Sequence, residues 1–173
     1  MTPLDRYTYA SPLGPLVLFG RGDRLSYLHL PDGKELPPAG IEPAGIENVT
    51  RILRRTANQL AEYFAGTRTA FELELELEPE GTAFQQLVWN ALRAIPYGAT
   101  VSYGHIAHAI GRPAASRAVG AANGRNPLAI IVPCHRVIGS SGALTGYGGG
   151  LLAKQFLLEH ERAHGPQLAM FGA

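Results

Sequence analysis

Apolar and polar positions alternate along this chain with changing period, and each change predicts an element. Arg6-Tyr7-Thr8-Tyr9-Ala10 and Leu16-Val17-Leu18-Phe19 are rich in β-formers, and Ser11-Pro12-Leu13-Gly14-Pro15 between them carries turn residues, which predicts a hairpin. Gly22-Asp23 then turns into a third strand over 25–30. His29 is read as a residue of that strand, since no second ligand clusters with it. Residues 31–45, rich in proline and glycine, read as a long loop. Ile46, Val49, Leu53, Leu60 and Phe64 recur at helical spacing, with Gly66 as the stop. From Phe71 the period becomes two: Phe71, Leu73, Leu75 and Leu77 alternate with Glu72, Glu74, Glu76 and Glu78. That predicts a strand with one buried face and one solvated acidic face, ended by Pro79.

Composition shifts at Pro79-Glu80-Gly81, which sets the expected boundary between a domain over 1–80 and a second over 81–173. Thr82 with Gln85 three residues on is a capping-box pair, and Phe84, Leu87, Val88, Ala91, Leu92 and Ile95 form the apolar stripe of the helix that follows, up to Pro96. Trp89 beside that stripe is assigned to the core. Ser102 caps a short helix, Tyr103 to Ile110, closed by Gly111, and Pro113 opens another through Asn123. Two short helices joined by Gly111-Arg112-Pro113 have the spacing of a helix-turn-helix. The second is built almost wholly of small residues, with Arg117 as nearly its only long side chain. Close helix packing would explain the small residues; a helix pressed into a nucleic-acid groove would explain Arg117 as well.

Charge adds an asymmetry that the formal net of +1 conceals. Residues 1–80 hold 8 Lys and Arg against 12 Asp and Glu, a net of −4, and residues 81–173 hold 7 against 2, a net of +5. No carboxylate lies between Gly81 and Leu158, whereas Arg93, Arg112, Arg117, Arg125, Arg136 and Lys154 all do. Such a surface can approach a phosphate backbone without repulsion. With 46% hydrophobic residues the 173-residue chain can fill one sizeable core or two small ones. No apolar stretch reaches transmembrane length, and Met1 to Arg6 lack the shape of a signal peptide, so a soluble cytoplasmic protein is expected.

The candidate chemistry centres on Cys134, the single cysteine, set between the apolar run Leu128 to Val132 and a glycine-rich stretch from Gly139 to Gly150. One thiol closes no intramolecular disulfide and builds no thiolate zinc site. A lone cysteine is by default a small buried hydrophobe, but His135 and Arg136 beside it are the cationic surroundings that favour thiolate. If His135 takes the thiol proton, a carboxylate should orient its ring. Glu159 and Glu161 are the carboxylates of this half, and spacing alone leaves both open. Adjacent residues in an extended segment point to opposite sides, so a water between Cys134 and His135 is expected in place of a direct bond.

Pro133-Cys134-His135-Arg136-Val137 resembles the active-site signature of the O6-alkylguanine-DNA alkyltransferases (methylated-DNA–protein-cysteine methyltransferases). Ser102-Tyr103, Ser116 to Gly120, Asn126-Pro127, Tyr147 to Gly150 and Leu157 to Glu161 follow in the order of that family. The match is dense from about Thr82 to Glu161 and thin before it. The resemblance implies an α+β protein. Its N-terminal part would be a small antiparallel sheet with a helix, ribonuclease-H-like. Its C-terminal part would be mostly helical, with a winged-helix-like helix-turn-helix carrying the cysteine.

The activity implied is single-turnover repair of double-stranded DNA containing O6-alkylguanine, and of O4-alkylthymine, with the alkyl group moved irreversibly to Cys134 after base flipping. No cofactor and no metal are implied: the zinc-binding cysteines of some relatives are absent here. The resemblance selects Glu161 to complete the relay with His135, and assigns Asn126 to the backbone around the cysteine. Tyr103 would rotate the phosphate and protonate the leaving purine. Arg117 would fill the stack, with Ser102, Arg112, Arg125, Ala118 and Gly120 on the DNA. Pro133, Val137, Tyr147, Gly148 and Lys154 would form the substrate pocket; many relatives have serine at Gly148. A monomer that can load cooperatively on DNA, with no membrane partner, is expected. Two other readings compete: a thiol hydrolase, which gives no reason for the basic helix pair, and a non-enzymatic DNA binder, against which Cys134 itself argues.

Overall fold

The computed structural model describes residues 3–31, 36, 39, 45–77 and 81–165. Strands β1 (Asp5–Ser11), β2 (Gly14–Arg21) and β3 (Arg24–His29) form an antiparallel sheet in sequence order. The β1–β2 hairpin closes at the pair Ser11 and Gly14, where Gly14 takes φ +95° and the Ser11 hydroxyl donates to its carbonyl at 2.7 Å. Helix α1 (Arg51–Phe64) packs on this sheet. Gly20 lets it come close, because a Cβ there would sit 2.9 Å from Ile52 Cγ2 and 3.1 Å from Leu53 Cδ2. The helix starts later than its apolar spacing predicts. Ile46–Asn48 is a separate 3₁₀ turn whose carbonyls are held by the Arg54 guanidinium, and Thr50 is extended. Most of the predicted 31–45 loop lies outside the described residues.

The predicted strand over 71–77 is an extended run that pairs with the sheet at one residue only. Leu25 N–H donates to Glu74 O and Leu25 O accepts from Glu76 N–H, both at 2.9 Å. Two competitors explain the missing ladder. The backbone of Glu72 is already taken by α1, through Arg55 at 2.8 Å and a two-way bond with Gln59 at 2.9 and 3.1 Å. Further along the β3 edge, Leu28 N–H donates instead to Pro127 O at 2.9 Å. The acidic face is also only partly solvated: Glu72 and Glu74 are exposed, but Glu76 accepts from Ser26 at 2.6 Å and faces Arg21 at 3.9 Å. Glu78 lies outside the described residues.

Over residues 81–165 the main elements are helices. α2 (Ala83–Leu92) starts in a complete capping box, with Gln85 N–H on Thr82 Oγ1 and Thr82 N–H on Gln85 Oε1. A two-residue strand β4 (Val101–Ser102) leads into α3 (Tyr103–Ala109), capped by Ser102 as predicted. α4 (Ser116–Gly124) starts three residues after Pro113, because 112–115 close a turn through Ala115 N–H to Arg112 O at 2.9 Å. α3 and α4 pack on each other and on α2, the arrangement of a helix-turn-helix. Trp89 is core, its indole N–H donating to Ala122 O at 2.9 Å. β5 (Val137–Ile138) pairs in parallel with β4, and α5 (Leu151–His164) closes the fold. The α+β class is as expected, and one apolar cluster runs from Leu16 and Leu18 through Leu60 to Trp89, Val132 and Leu157. Among the described residues no helix is long and apolar enough to cross a membrane.

Gly20→Val tests the close seating of α1 on the sheet. Overpacking should cost about 1–3 kcal/mol in urea unfolding, and an unchanged midpoint would mean that α1 does not depend on this contact.

Candidate active site

The segment that delivers Cys134 is a coiled turn. Val132 N–H bonds Leu128 O and Ile131 N–H bonds Ala129 O, each at 2.8 Å. Ile130 takes φ +71°, the single non-glycine with positive φ among the described residues. A β-branched residue there is strained, and it persists because Ile130 and its neighbours are fully packed. Asn126 locks the turn: its amide donates to Val132 O at 2.8 Å and its Oδ1 accepts from Leu128 N–H at 3.0 Å. Cys134–Arg136 then form a 3₁₀ turn, not an extended segment, with Asn123 Nδ2 on Cys134 O at 3.3 Å and β5 directly after.

That turn places His135 and Arg136 inward on one carboxylate. Glu161 Oε2 meets His135 Nε2 at 2.6 Å, Tyr63 Oη at 2.7 Å and Arg136 Nη2 at 3.1 Å, and Oε1 meets Arg136 Nε at 2.7 Å and Gly98 N–H at 3.3 Å. Burial pushes the Glu161 carboxyl up, but the hydrogen bond from His135 and the bonds and charge of Arg136 more than offset it and hold the group well below the usual carboxylate range. Glu159 is exposed and bonded to Gln155. An ionised carboxylate offers acceptors alone, so Nε2 of His135 carries the proton and donates it. Burial lowers the His135 pKa despite Glu161, which keeps the ring neutral. Its Nδ1, buried and with no hydrogen-bond partner, is therefore a free lone pair on the other side of the ring.

Cys134 is buried at a cavity lined by Asn126, Tyr147, Gly148 and Gly149, and by Leu28, His29 and Leu30 of the N-terminal sheet. Burial raises the thiol pKa, opposed by the Asn126 amide and the Lys154 charge, so the resting group is a thiol. Tyr147, half-buried, brings its phenol beside Cys134; the hydroxyl has no hydrogen-bond partner of good geometry.

The predicted pocket residues divide. Tyr147 and Gly148 line the cavity, whereas Val137 is in the core opposite Val101 and Pro133 faces a separate cavity with Tyr97 and Arg136. Lys154 is 0% exposed, and its Nζ donates to Val137 O at 2.6 Å and Thr145 O at 2.9 Å, tying the glycine-rich loop to β5. Lys154 and Arg136, counted as cations of the basic surface, are therefore removed from it. Arg93, Arg112, Arg117 and Arg125 remain exposed.

On the helix-turn-helix, Arg117 and Ala118 are exposed on α4, and Gly120 lies under the Tyr103 ring, where a Cβ would be 3.8 Å away. Ser102 is occupied as the α3 cap. The Tyr103 phenol donates to Thr145 O at 3.2 Å and accepts from Thr145 Oγ1 at 3.2 Å, so α3 is linked to the loop over the cavity. Sequence reading missed Tyr63, which is 98 residues from Glu161 and off the predicted apolar stripe. It also missed the inward role of Arg136, whose guanidinium stacks 5.6 Å from the Tyr97 centroid and donates to Ile95 O at 2.7 Å. The signal for Arg136 was its place beside His135. Among the described residues no group of three His, Cys, Asp or Glu could hold a metal ion.

A cysteine, a histidine and a buried carboxylate set behind a helix-turn-helix define a thiol group-transfer protein with a nucleic-acid-binding motif. Residues 83–163 match the family described as the 6-O-methylguanine DNA methyltransferase DNA-binding domain, and residues 6–77 match its ribonuclease-like domain. The methylated-DNA–protein-cysteine methyltransferase of Mycolicibacterium paratuberculosis is 52% identical over 163 residues, which cover 94% of this chain and 95% of that protein. Crystal structures of the Mycobacterium tuberculosis O6-methylguanine methyltransferase (48% identity, TM-score 0.82, covering 97% of this chain and 99% of that one) and of the same organism's OGT in complex with DNA (49%, 0.77, 95% and 97%) share the fold. The chain belongs to the methylated-DNA–protein-cysteine methyltransferase family.

Glu161→Gln leaves Arg136 with an uncompensated buried charge and should cost about 3–5 kcal/mol in urea unfolding at pH 7, while Glu159→Gln should stay within about 0.5 kcal/mol. The Glu161 pKa is depressed in the folded state, so its contribution is fully present above the unfolded value, about 4.3, and is lost as pH falls towards the folded value. The gap between wild type and Glu161→Gln should accordingly narrow below about pH 4.

Proposed function

We propose that this chain repairs double-stranded DNA containing O6-alkylguanine by moving the alkyl group to Cys134, once per molecule. The observation that carries the reading is the stack Cys134, His135, Glu161: a thiol at a cavity, a neutral imidazole whose Nε2–H is held by an ionised carboxylate, and Nδ1 left as the base. A water between the thiol and Nδ1 passes the proton, and Glu161 stabilises the imidazolium formed. The sulfur attacks the alkyl carbon, the S–C bond forms as the C–O6 bond breaks, and the bonding pair returns to the purine. Tyr103 supplies a proton to guanine N3 as it leaves. The Gly148 amide faces O6. The thioether has no route back to thiol, so the chain acts as a single-turnover reagent. O4-alkylthymine presents the same alkyl–oxygen bond and is a second substrate.

The base reaches the cavity only by leaving the duplex, at a cost of a few kcal/mol. Arg117, exposed on a helix of small residues, fills the gap, since a planar guanidinium fits between base pairs. Ser102, Ala118 and Gly120 let α3 and α4 approach the strand, and Arg112 and Arg125 contact phosphate. The division at residue 80 belongs to the same proposal, supported by family matches that fall on either side of it. The protein acts in the cytoplasm as a monomer and can load cooperatively on DNA.

Arg117→Ala should slow repair of O6-methylguanine in duplex by roughly tenfold or more, and leave reaction with free O6-benzylguanine, which needs no flipping, nearly unchanged. Equal losses on both would assign Arg117 to the pocket or the fold. Arg112→Ala and Arg125→Ala should each weaken binding to every sequence and reduce the salt slope by about 0.9. Cys134→Ser should abolish transfer with DNA affinity retained, because a hydroxyl of almost the same size ionises far less readily.

A further inference from the structure

The Glu161 carboxylate receives more donors than it can comfortably hold. His135 Nε2, Arg136 Nε, Arg136 Nη2, Tyr63 Oη and Gly98 N–H approach two oxygens that offer about four lone-pair sites. Three of the five crowd Oε2, and two of those, His135 at 2.6 Å and Tyr63 at 2.7 Å, are the closest. Tyr63 comes from α1, in the half of the chain that carries neither the cysteine nor the helix-turn-helix. Its ring is fixed among Phe64, Phe71, Tyr97 and His160, with centroids 5.2, 5.5, 6.0 and 5.2 Å away, so the hydroxyl cannot swing off the carboxylate.

We propose that Tyr63 is a positioning residue for alkyl transfer: by donating to Glu161 Oε2 it competes with His135 for that oxygen and limits how strongly Glu161 supports the imidazolium. The inference rests on the relay reading of Cys134, His135 and Glu161. Burial, with Glu161 nearby, raises the Tyr63 pKa far above the ordinary phenol value, so the residue stays a donor at every working pH. The other groups facing the pair are Arg136 from the 3₁₀ turn, Lys154 and His160 from α5, Tyr97 after α2, and Tyr147 from the glycine-rich loop. None of them except Arg136 bonds the carboxylate. Without the Tyr63 hydroxyl, more of the negative charge on Oε2 is available to His135, the imidazolium is stabilised, and the neutral base is lost at higher pH. The N-terminal half would in this way set the pH window of a reaction carried out in the C-terminal half.

The test is the pH profile of transfer from free O6-benzylguanine, which bypasses DNA binding and flipping. Tyr63→Phe should move the midpoint of the acid limb up by about half a pH unit or more. Tyr97→Phe, which removes a hydroxyl that makes no hydrogen bond, should leave the midpoint in place. Should Tyr63→Phe fold poorly, 3-fluorotyrosine at position 63 keeps the hydroxyl, strengthens it as a donor and should move the midpoint the opposite way. A rate lowered equally at every pH, with the midpoint fixed, would overturn the inference and reduce Tyr63 to a packing residue. An acid limb that persists in His135→Ala would overturn the relay reading itself, and this inference with it.

Discussion

One ionised carboxylate, buried against the two residues that follow Cys134, organises this protein. A charge removed from water needs several donors to be tolerated, and Glu161 gathers them from α1, the turn after α2, and both residues that follow Cys134. Each donor is thereby pinned. Arg136 cannot turn to solvent, His135 cannot choose its tautomer, and Tyr63 cannot leave the interface between the halves. The position of Cys134 follows from this, since it directly precedes His135 and Arg136, both bonded to Glu161.

The backbone adds a second set of constraints around the same turn. The β3 edge is divided, with Leu25 bonded to the 74–76 run and Leu28 to Pro127, so the N-terminal sheet grips the segment that leads to Cys134. Asn126 and Asn123 hold the carbonyls on either side of Pro133. Lys154 and Tyr103 both reach Thr145, which joins the glycine-rich loop to α5 and to the helix-turn-helix. The cavity wall is made by strand β3 and that loop together. Leu30 packs against Gly149, where a Cβ would meet Leu30 Cδ1 at 2.7 Å. A wall shared in this way makes the N-terminal half part of the site and not an appendage.

Features governed by near neighbours were legible in the sequence. The Thr82–Gln85 box, the Ser102 cap and the Ser11–Gly14 turn are set by residues within a few positions, and spacing alone found them. Features set by distant partners were not. The alternating run 71–77 has a strand's pattern, yet its pairing was decided by Gln59 and by what else claimed β3. The φ of Ile130 has no local signal. Arg136 and Lys154 carry charges that a count must assign to the surface, and only the fold reveals that carboxylate and carbonyl oxygens consume them. Glu161 could not be separated from Glu159 by spacing, and the family resemblance made that choice. The structure places Glu161 inward and Glu159 in solvent.

The central claim is that Cys134 accepts the alkyl group. Intact-protein mass after incubation with duplex DNA containing O6-methylguanine measures it directly. The account predicts a gain of one methyl group per chain, located on Cys134 by peptide mapping, with no further gain on longer exposure. An unchanged mass while the lesion disappears, or a methyl group found on another residue, would contradict it.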